Sequence, residues 1–182
     1  MKKMTIDNAH SEIGFKVRHL MISSVKGNFQ TFSGAIHENG DIFVSINTNS
    51  VNTGNADRDN HLKSADFFNC EEFPTIMFNS KTDPNFLNAG LNSDRIVGEL
   101  TIKGITLPIV LDVEYNGSSV DPWGNTKHGY EIGGVINRAN YGLTWNAPLE
   151  TGGVLVSDEV KISIDLQLME VNEDDSVTQS PE

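Results

Sequence analysis

Cysteine is almost absent: Cys70 is the single one among 182 residues. That excludes an internal disulfide framework and any cysteine-rich zinc site. Cations are scarce too, with 13 Lys and Arg against 25 Asp and Glu and a formal net charge of −12. Nucleic-acid binders rely on a basic patch, so this balance argues against such a partner. It also argues against electrostatic docking on anionic membranes. Long apolar runs are missing, and no stretch approaches the roughly 20 apolar residues of a spanning helix. Lys2 and Lys3 look like the start of a signal peptide, but polar Asp7, Asn8, His10, Ser11 and Glu12 stand where an apolar core should follow. The expectation is therefore a cytoplasmic protein with no membrane span.

What the chain does contain is alternation. Ile13, Phe15, Val17 and His19 fall on one face of an extended segment, with Glu12, Lys16 and Arg18 on the other. This period of two marks a half-buried strand. It recurs at Ile42/Val44/Ile46, Ile76/Phe78 and Ile96/Leu100/Ile102, then at Leu107/Ile109/Leu111/Val113/Tyr115 and Tyr130/Ile132/Ile136. The cleanest case is Val160/Ile162/Ile164/Leu166/Leu168. Turn chemistry separates the runs at Asn39-Gly40-Asp41, Lys103-Gly104, Asn116-Gly117-Ser118 and Asp121-Pro122-Trp123-Gly124. The pattern predicts an all-β antiparallel sandwich or barrel. One segment reads as helical, near residues 57–68, with Asp57 capping a first turn and Ser64 a second. Residues 1–170 form a single domain on this reading, and 171–182 an acidic, disordered tail.

An inward strand face can be a packed core or can enclose one small ligand, and periodicity does not separate the two. Glycines inside the strands (Gly14, Gly27, Gly34, Gly98, Gly133 and Gly134) point to bulges, tight coiling or close approach of another group. The five histidines are dispersed, without the i, i+4 spacing of a metal-binding helix. His19, His61 and Asp59 could meet only through folding, and ordinary hydrogen bonds explain them better. No Gly-x-Ser-x-Gly elbow exists, and acidic neighbours disfavour a Cys70 thiolate. No catalytic residue, metal site or cofactor is expected. Two segments stand out. Arg58-Asp59-Asn60-His61-Leu62 and Asn137-Arg138-Ala139-Asn140-Tyr141-Gly142-Leu143 set charge beside apolar residues, as the mouth of a pocket would.

At these residues the chain resembles a known family, the YceI family of polyisoprenoid-binding, lipocalin-like proteins. The resemblance runs through Ile6-Asp7-x-x-His10-Ser11-x-Ile13-x-Phe15-x-Val17-x-His19, then Gly27-x-Phe29-x-x-Phe32-x-Gly34 and Asn52-Thr53. It continues through Arg58-Asp59-x-His61-Leu62-x-Ser64-x-Asp66-Phe67-Phe68 and Phe73-Pro74-x-Ile76-x-Phe78-x-Ser80. It ends with Gly98-x-Leu100-Thr101-Ile102-x-Gly104-Ile105-Thr106-x-Pro108, Arg138-x-x-Tyr141-Gly142-Leu143 and Asp158-Glu159-Val160-x-Ile162. Each piece is short, but the ordered series from about residue 5 to 168 is specific. Met4, Asn140 and Ser157 depart from the family, which has an aromatic, an acid and a glycine there.

The resemblance implies an extended antiparallel lipocalin-like β-barrel of about eight strands with an apolar tunnel. It implies a carrier that binds an isoprenoid lipid, such as a polyprenyl phosphate or a quinone, without catalysis. The expected wall is Phe15, Val17, Phe29, Phe32, Ile46, Leu62, Phe67, Phe78, Leu100, Ile102, Ile136 and Leu143. His19, Arg58, His61, Arg138 and Tyr141 complete the expected ligand-binding set. Two other readings compete: a structural or stress-response protein with a filled barrel, as a homodimer through a sheet edge or loop face, and a His/Asp-dependent enzyme.

Overall fold

The computed structural model describes residues 2–83, 94–150 and 152–172. Alternating segments become strands, and three pairs of them lie end to end. β1 (Lys2–Ile6) leads to β2 (Glu12–His19) through a 3-10 turn at Asn8–His10. β3 (Ser23–Phe29) leads to β4 (Phe32–His37) through Gln30 and Thr31, and β5 (Asp41–Asn47) to β6 (Val51–Asn52) through a 3-10 turn at Thr48–Ser50. The single α-helix among the described residues, α1 (Ala56–Lys63), precedes β7 (Thr75–Lys81), β8 (Asp94–Ile102), β9 (Ile105–Val120), β10 (Thr126–Asn137) and β11 (Val156–Asn172).

β11 closes the sheet. One edge pairs with β10 from Asn137↔Glu159 to Lys127↔Met169. Its other edge is shared: Ile162 faces Phe15 of β2, and Leu168 faces Ile6 of β1. From there β1 pairs with β4 and β2 with β3, β4 with β5 and β3 with β6; β5, β7, β8, β9 and β10 complete the ring. All pairings are antiparallel, so the eleven strands make eight staves of a closed barrel. Closure pairs most of the edges that an open sheet would expose, while β6 and the Ser23–Gly27 part of β3 keep one edge without a strand partner among the described residues.

Three local expectations are corrected. Asn55, not Asp57, caps α1: its side chain accepts from the Arg58 N–H at 2.9 Å. Asp57 sits within the first turn, where its charge complements the helix dipole. Ser64 ends the helix and its carbonyl opens the expected second turn by accepting the Phe67 and Asn69 N–H groups, but its hydroxyl does not cap that turn and donates back to the His61 carbonyl at 2.7 Å. Asn116-Gly117-Ser118 is a bulge inside β9 and not a loop. Tyr115 faces Tyr130 and Gly117 faces Gly129, which leaves Asn116 as the extra residue. Gly117 takes φ +111, and a bulge needs that conformation as much as a turn does. The turn itself is built by Asp121, whose carboxylate accepts the N–H groups of Trp123 and Asn125. β11 runs on to Asn172, two residues into the expected tail; the rest of that tail lies outside the described residues.

The inward faces meet in one apolar interior that includes Met4, Ile13, Ile36, Ile42, Val113 and Leu168. At the end away from α1, Lys127 reaches the carboxylates of Asp7 and Asp121. Beside them His128 bridges the Tyr115 hydroxyl (3.2 Å) and Glu170 (3.0 Å). These polar ties join β1, β9, β10 and β11 across that end of the barrel.

Two outcomes follow. A Cβ at Gly98 would stand 2.5 Å from the Phe78 ring and 2.7 Å from the Asn79 carbonyl oxygen. Backbone cannot swing aside as a flexible side chain can, so Gly98→Ala is expected to cost about 1–3 kcal/mol in urea unfolding. The Lys127 hydrogen bond, with help from His10, holds the Asp7 carboxyl below the usual carboxylate range against the opposing effect of burial, and raises Lys127 in return. Stability from Asp7 is therefore complete above the ordinary carboxylate pKa and lost as pH falls through its lowered folded value. In melting temperatures recorded from about pH 2 to 7, Asp7→Asn lowers the neutral plateau and flattens the acid limb.

Candidate apolar binding cavity

The barrel's side chains do not fill it. A cavity of about 560 Å³ runs down the interior, and its lining is almost entirely carbon. That volume lies within the usual range of small-molecule sites. Alternation supplies the wall: β2 contributes Phe15 and Val17, β3 Phe29, β5 Ile46, β7 Phe78, β8 Leu100 and Ile102, and β10 Ile136. Toward the end where Lys127 lies, Ile36, Ile42, Val113, Tyr130 and Leu168 close the space. Burial pushes the Tyr130 hydroxyl up to about 12, so it stays neutral.

The opposite end is the mouth. Among the lining residues only Asp57 and Arg58 are exposed, and both are on α1. His19, His61, Leu62, Phe67, Leu143 and Arg138 line the cavity at this end. Phe32, expected in the wall, and Tyr141, expected in the ligand-binding set, belong to the buried core and not to the cavity surface. Phe32 opens β4 across from Ile46, and Tyr141 ends the 3-10 turn Arg138–Tyr141.

The two arginines at the mouth play different parts. Arg138 is 3% exposed. Its Nε donates to the Ser157 carbonyl (2.9 Å), and Nη1 donates to Leu143 (2.6 Å) and Trp145 (2.9 Å). Nη2 donates to the Val156 carbonyl (3.3 Å) and stands 3.4 Å from Asp158. Four of the five guanidinium N–H donors thus go to backbone carbonyls and Asp158 pairs with the charge, so the group is committed to the fold. Burial draws this guanidinium's pKa down, and Asp158 opposes the shift. Arg58 is exposed and uses two donors, Nε to the Thr53 hydroxyl (2.7 Å) and Nη2 to the Thr53 carbonyl (2.9 Å). Three N–H groups remain.

His61 is held between rings. Phe67 and Trp145 meet it edge-on at centroid distances of 5.1 and 4.7 Å, and its Nε2 bonds Asp66 at 2.9 Å. Asp59 accepts from the N–H and hydroxyl of Thr53, away from both His19 and His61. Trp145 and Leu155 line the mouth but escaped the sequence reading. Both lie in the irregular stretch between β10 and β11, where no periodicity exists to flag a buried face. A second depression of about 590 Å³ lies on the outer surface around Gly133, walled by Glu114, Glu131 and Asp165. It is open and polar, unlike the lumen.

A family model for the YceI-like domain matches residues 4–168, nearly the whole chain. The chain belongs to the YceI family. Among its relatives is the UPF0312 protein SA2479 of Staphylococcus aureus strain N315, 44% identical over 170 residues spanning 88% of this chain and 94% of that one. The solved YCEI protein of Campylobacter jejuni superposes with a TM-score of 0.68 at 32% identity, over 92% of this chain and 97% of its own. A polyisoprenoid binding domain from Saccharophagus degradans gives 0.71 at 17% identity, over 91% and 97%, a likeness of fold. This YceI-family barrel places Ser157 beside Arg138, and the Ser157 hydroxyl donates to the Glu159 carbonyl at 3.0 Å.

Arg138→Lys leaves carbonyls of the mouth loop without donors, because an ammonium has three N–H groups where the guanidinium had five. The expected loss in urea unfolding is about 2–4 kcal/mol, whereas exposed Arg58→Ala changes stability by less than about 1 kcal/mol.

Proposed function

We propose that this protein binds a single long-chain isoprenoid lipid inside the barrel and carries or stores it without transforming it. The observation that supports this reading is the carbon-lined cavity, open at a mouth where Asp57 and Arg58 form an exposed polar rim. A dry apolar lumen gains about 25 cal/mol for each Å² of apolar ligand surface taken from water. A chain without polar groups can bind tightly there, and the length and width of the tunnel select it.

The head group belongs at the rim. Arg58 keeps three donors for a phosphate or a quinone oxygen. His61 turns its ring edges to Phe67 and Trp145 and its Nε2 to Asp66, which suits it to shaping the entrance. The filled-barrel alternative has no place for a void of about 560 Å³. The enzyme alternative called for Asp59, His61, His19 and Arg138 to act together. Asp59 and Arg138 are instead committed to Thr53 and to backbone carbonyls.

Two variants separate tail from head. Ile164→Trp projects bulk into the middle of the cavity wall. It should weaken a polyprenyl phosphate and the matching polyprenol alike, each by about tenfold or more, or 1.4 kcal/mol. Arg58→Ala should weaken the phosphate by about tenfold and leave the alcohol nearly unchanged. Titration by intrinsic fluorescence, with native mass spectrometry of the purified protein, reads both. Undiminished binding by a correctly folded Ile164→Trp protein would place the ligand outside the barrel and overturn the reading.

A further inference from the structure

The β2–β3 hairpin ends at the cavity mouth. The Leu20 N–H donates to the Leu155 carbonyl at 2.9 Å, and both His19 and Leu155 line the cavity. Its tip is aliphatic and open to water: Leu20, Met21 and Ile22 are 38%, 63% and 82% exposed. Leu20 and Met21 also hold φ of +54 and +61, a conformation that glycine or asparagine adopts at lower cost. Folding alone gains nothing from placing three large apolar side chains in so strained a turn.

Behind the tip stands a row of cations on the outer face. Lys161 of β11 is opposite Lys16 of β2, which is opposite Lys26 of β3. Arg18 lies two residues nearer the tip. All four are exposed, and none forms an ion pair among the described residues. Like charges directly opposite in a sheet are destabilising, so the fold does not explain the row either. The sequence from Ile13 to His37 contains no acid. The acids form their own row farther from the mouth, Glu114–Glu131–Asp165–Glu12, across four adjacent strands. The net charge of −12 is thus segregated rather than spread. Three acids near the mouth are engaged locally, Asp66 by His61, Asp158 by Arg138 and Asp59 by Thr53, whereas Glu159, two residues from Lys161 on β11, is exposed. Asp57 is followed directly by the cation Arg58.

We propose that the β2–β3 tip is a docking element for an anionic lipid bilayer. Met21 and Ile22 enter the interfacial layer, while Lys16, Lys26, Lys161 and Arg18 meet the head groups. The Lys16–Lys26 rung lies three pairs from the last one, His19–Ser23, or roughly 10 Å at strand spacing. That is about one Debye length, and insertion of the tip by about 5–10 Å brings the lysines to the lipid surface. The mouth then faces the membrane, so an apolar chain can pass between bilayer and lumen without crossing water. The cargo in this scheme rests on the lipid-binding reading above; the docking itself does not.

Vesicle flotation tests it, with equal parts phosphatidylglycerol and phosphatidylcholine against phosphatidylcholine alone. The protein is expected to float with the anionic vesicles. Met21→Asp combined with Ile22→Asp should cut the bound fraction about tenfold, and so should Lys16→Glu combined with Lys26→Glu. Both double variants should keep the wild-type melting temperature and lipid content. Failure of the wild type to float, or flotation of the tip variant at the wild-type level, overturns the proposal. A wild-type dimer that the tip substitutions convert to monomer also overturns it, and assigns the tip to a second copy. A protein that floats yet carries no lipid sinks the carrier reading and leaves docking intact; the converse result does the reverse.

Discussion

Everything in this molecule depends on β11 pairing with three strands at once. A sheet wrapped around an unfilled lumen lacks the tight interior packing that normally holds a domain together. Its integrity has to come from a continuous ring of backbone hydrogen bonds and from tight contacts in the wall. The 17 residues of β11 are long enough to serve β10 along one edge and to divide the other between β1 and β2. The mouth is framed by α1 and by the irregular stretch between β10 and β11. The close approach of Gly98 to Phe78, and of Gly27 to Phe15, lets large rings lie against the backbone of neighbouring strands. The space saved in the wall is space kept in the lumen.

The two ends of the barrel solve opposite problems. One must stay shut, and buried polar pairs between β1, β9, β10 and β11 tie it across. The other must admit a ligand yet hold its shape, although the stretch there between β10 and β11 is irregular. Arg138 answers that need by gathering carbonyls from Leu143, Trp145, Val156 and Ser157 around one guanidinium. Its charge is spent on the fold, and the neighbouring Arg58 keeps donors facing the opening. Two residues of the same type at the same mouth thus divide support from recognition, and donor geometry alone distinguishes them.

Charge shows how far composition and placement can part company. A sum of −12 suggests a surface that anionic membranes repel. The register of β11, β2 and β3 nonetheless collects lysines into one row near the mouth and leaves acids in another row beyond it. Long-range electrostatics follow the sum, but contact within a Debye length follows the local row.

Much of this was legible in the residues. Period-two alternation marked the strands and most of the wall, from Phe15 and Val17 to Ile136, because a pleated strand sends successive side chains to opposite faces. The ordered series of short motifs pointed to the family. Local chemistry was less legible where one residue type serves two purposes. Gly117 fits a turn and a bulge equally, and Asp57 and Asn55 are both plausible caps. Phe32 reads as a wall residue because burial and cavity lining share one sequence pattern. The sequence by itself determined which side chains turn inward and that the sheet is antiparallel, since those depend on neighbours along the chain. Tertiary structure alone decided that the inward face surrounds a void, that Arg138 is occupied and Arg58 is not, and that Lys161 joins Lys16 and Lys26. Each of those depends on strands distant in sequence coming to one register, which no local pattern specifies.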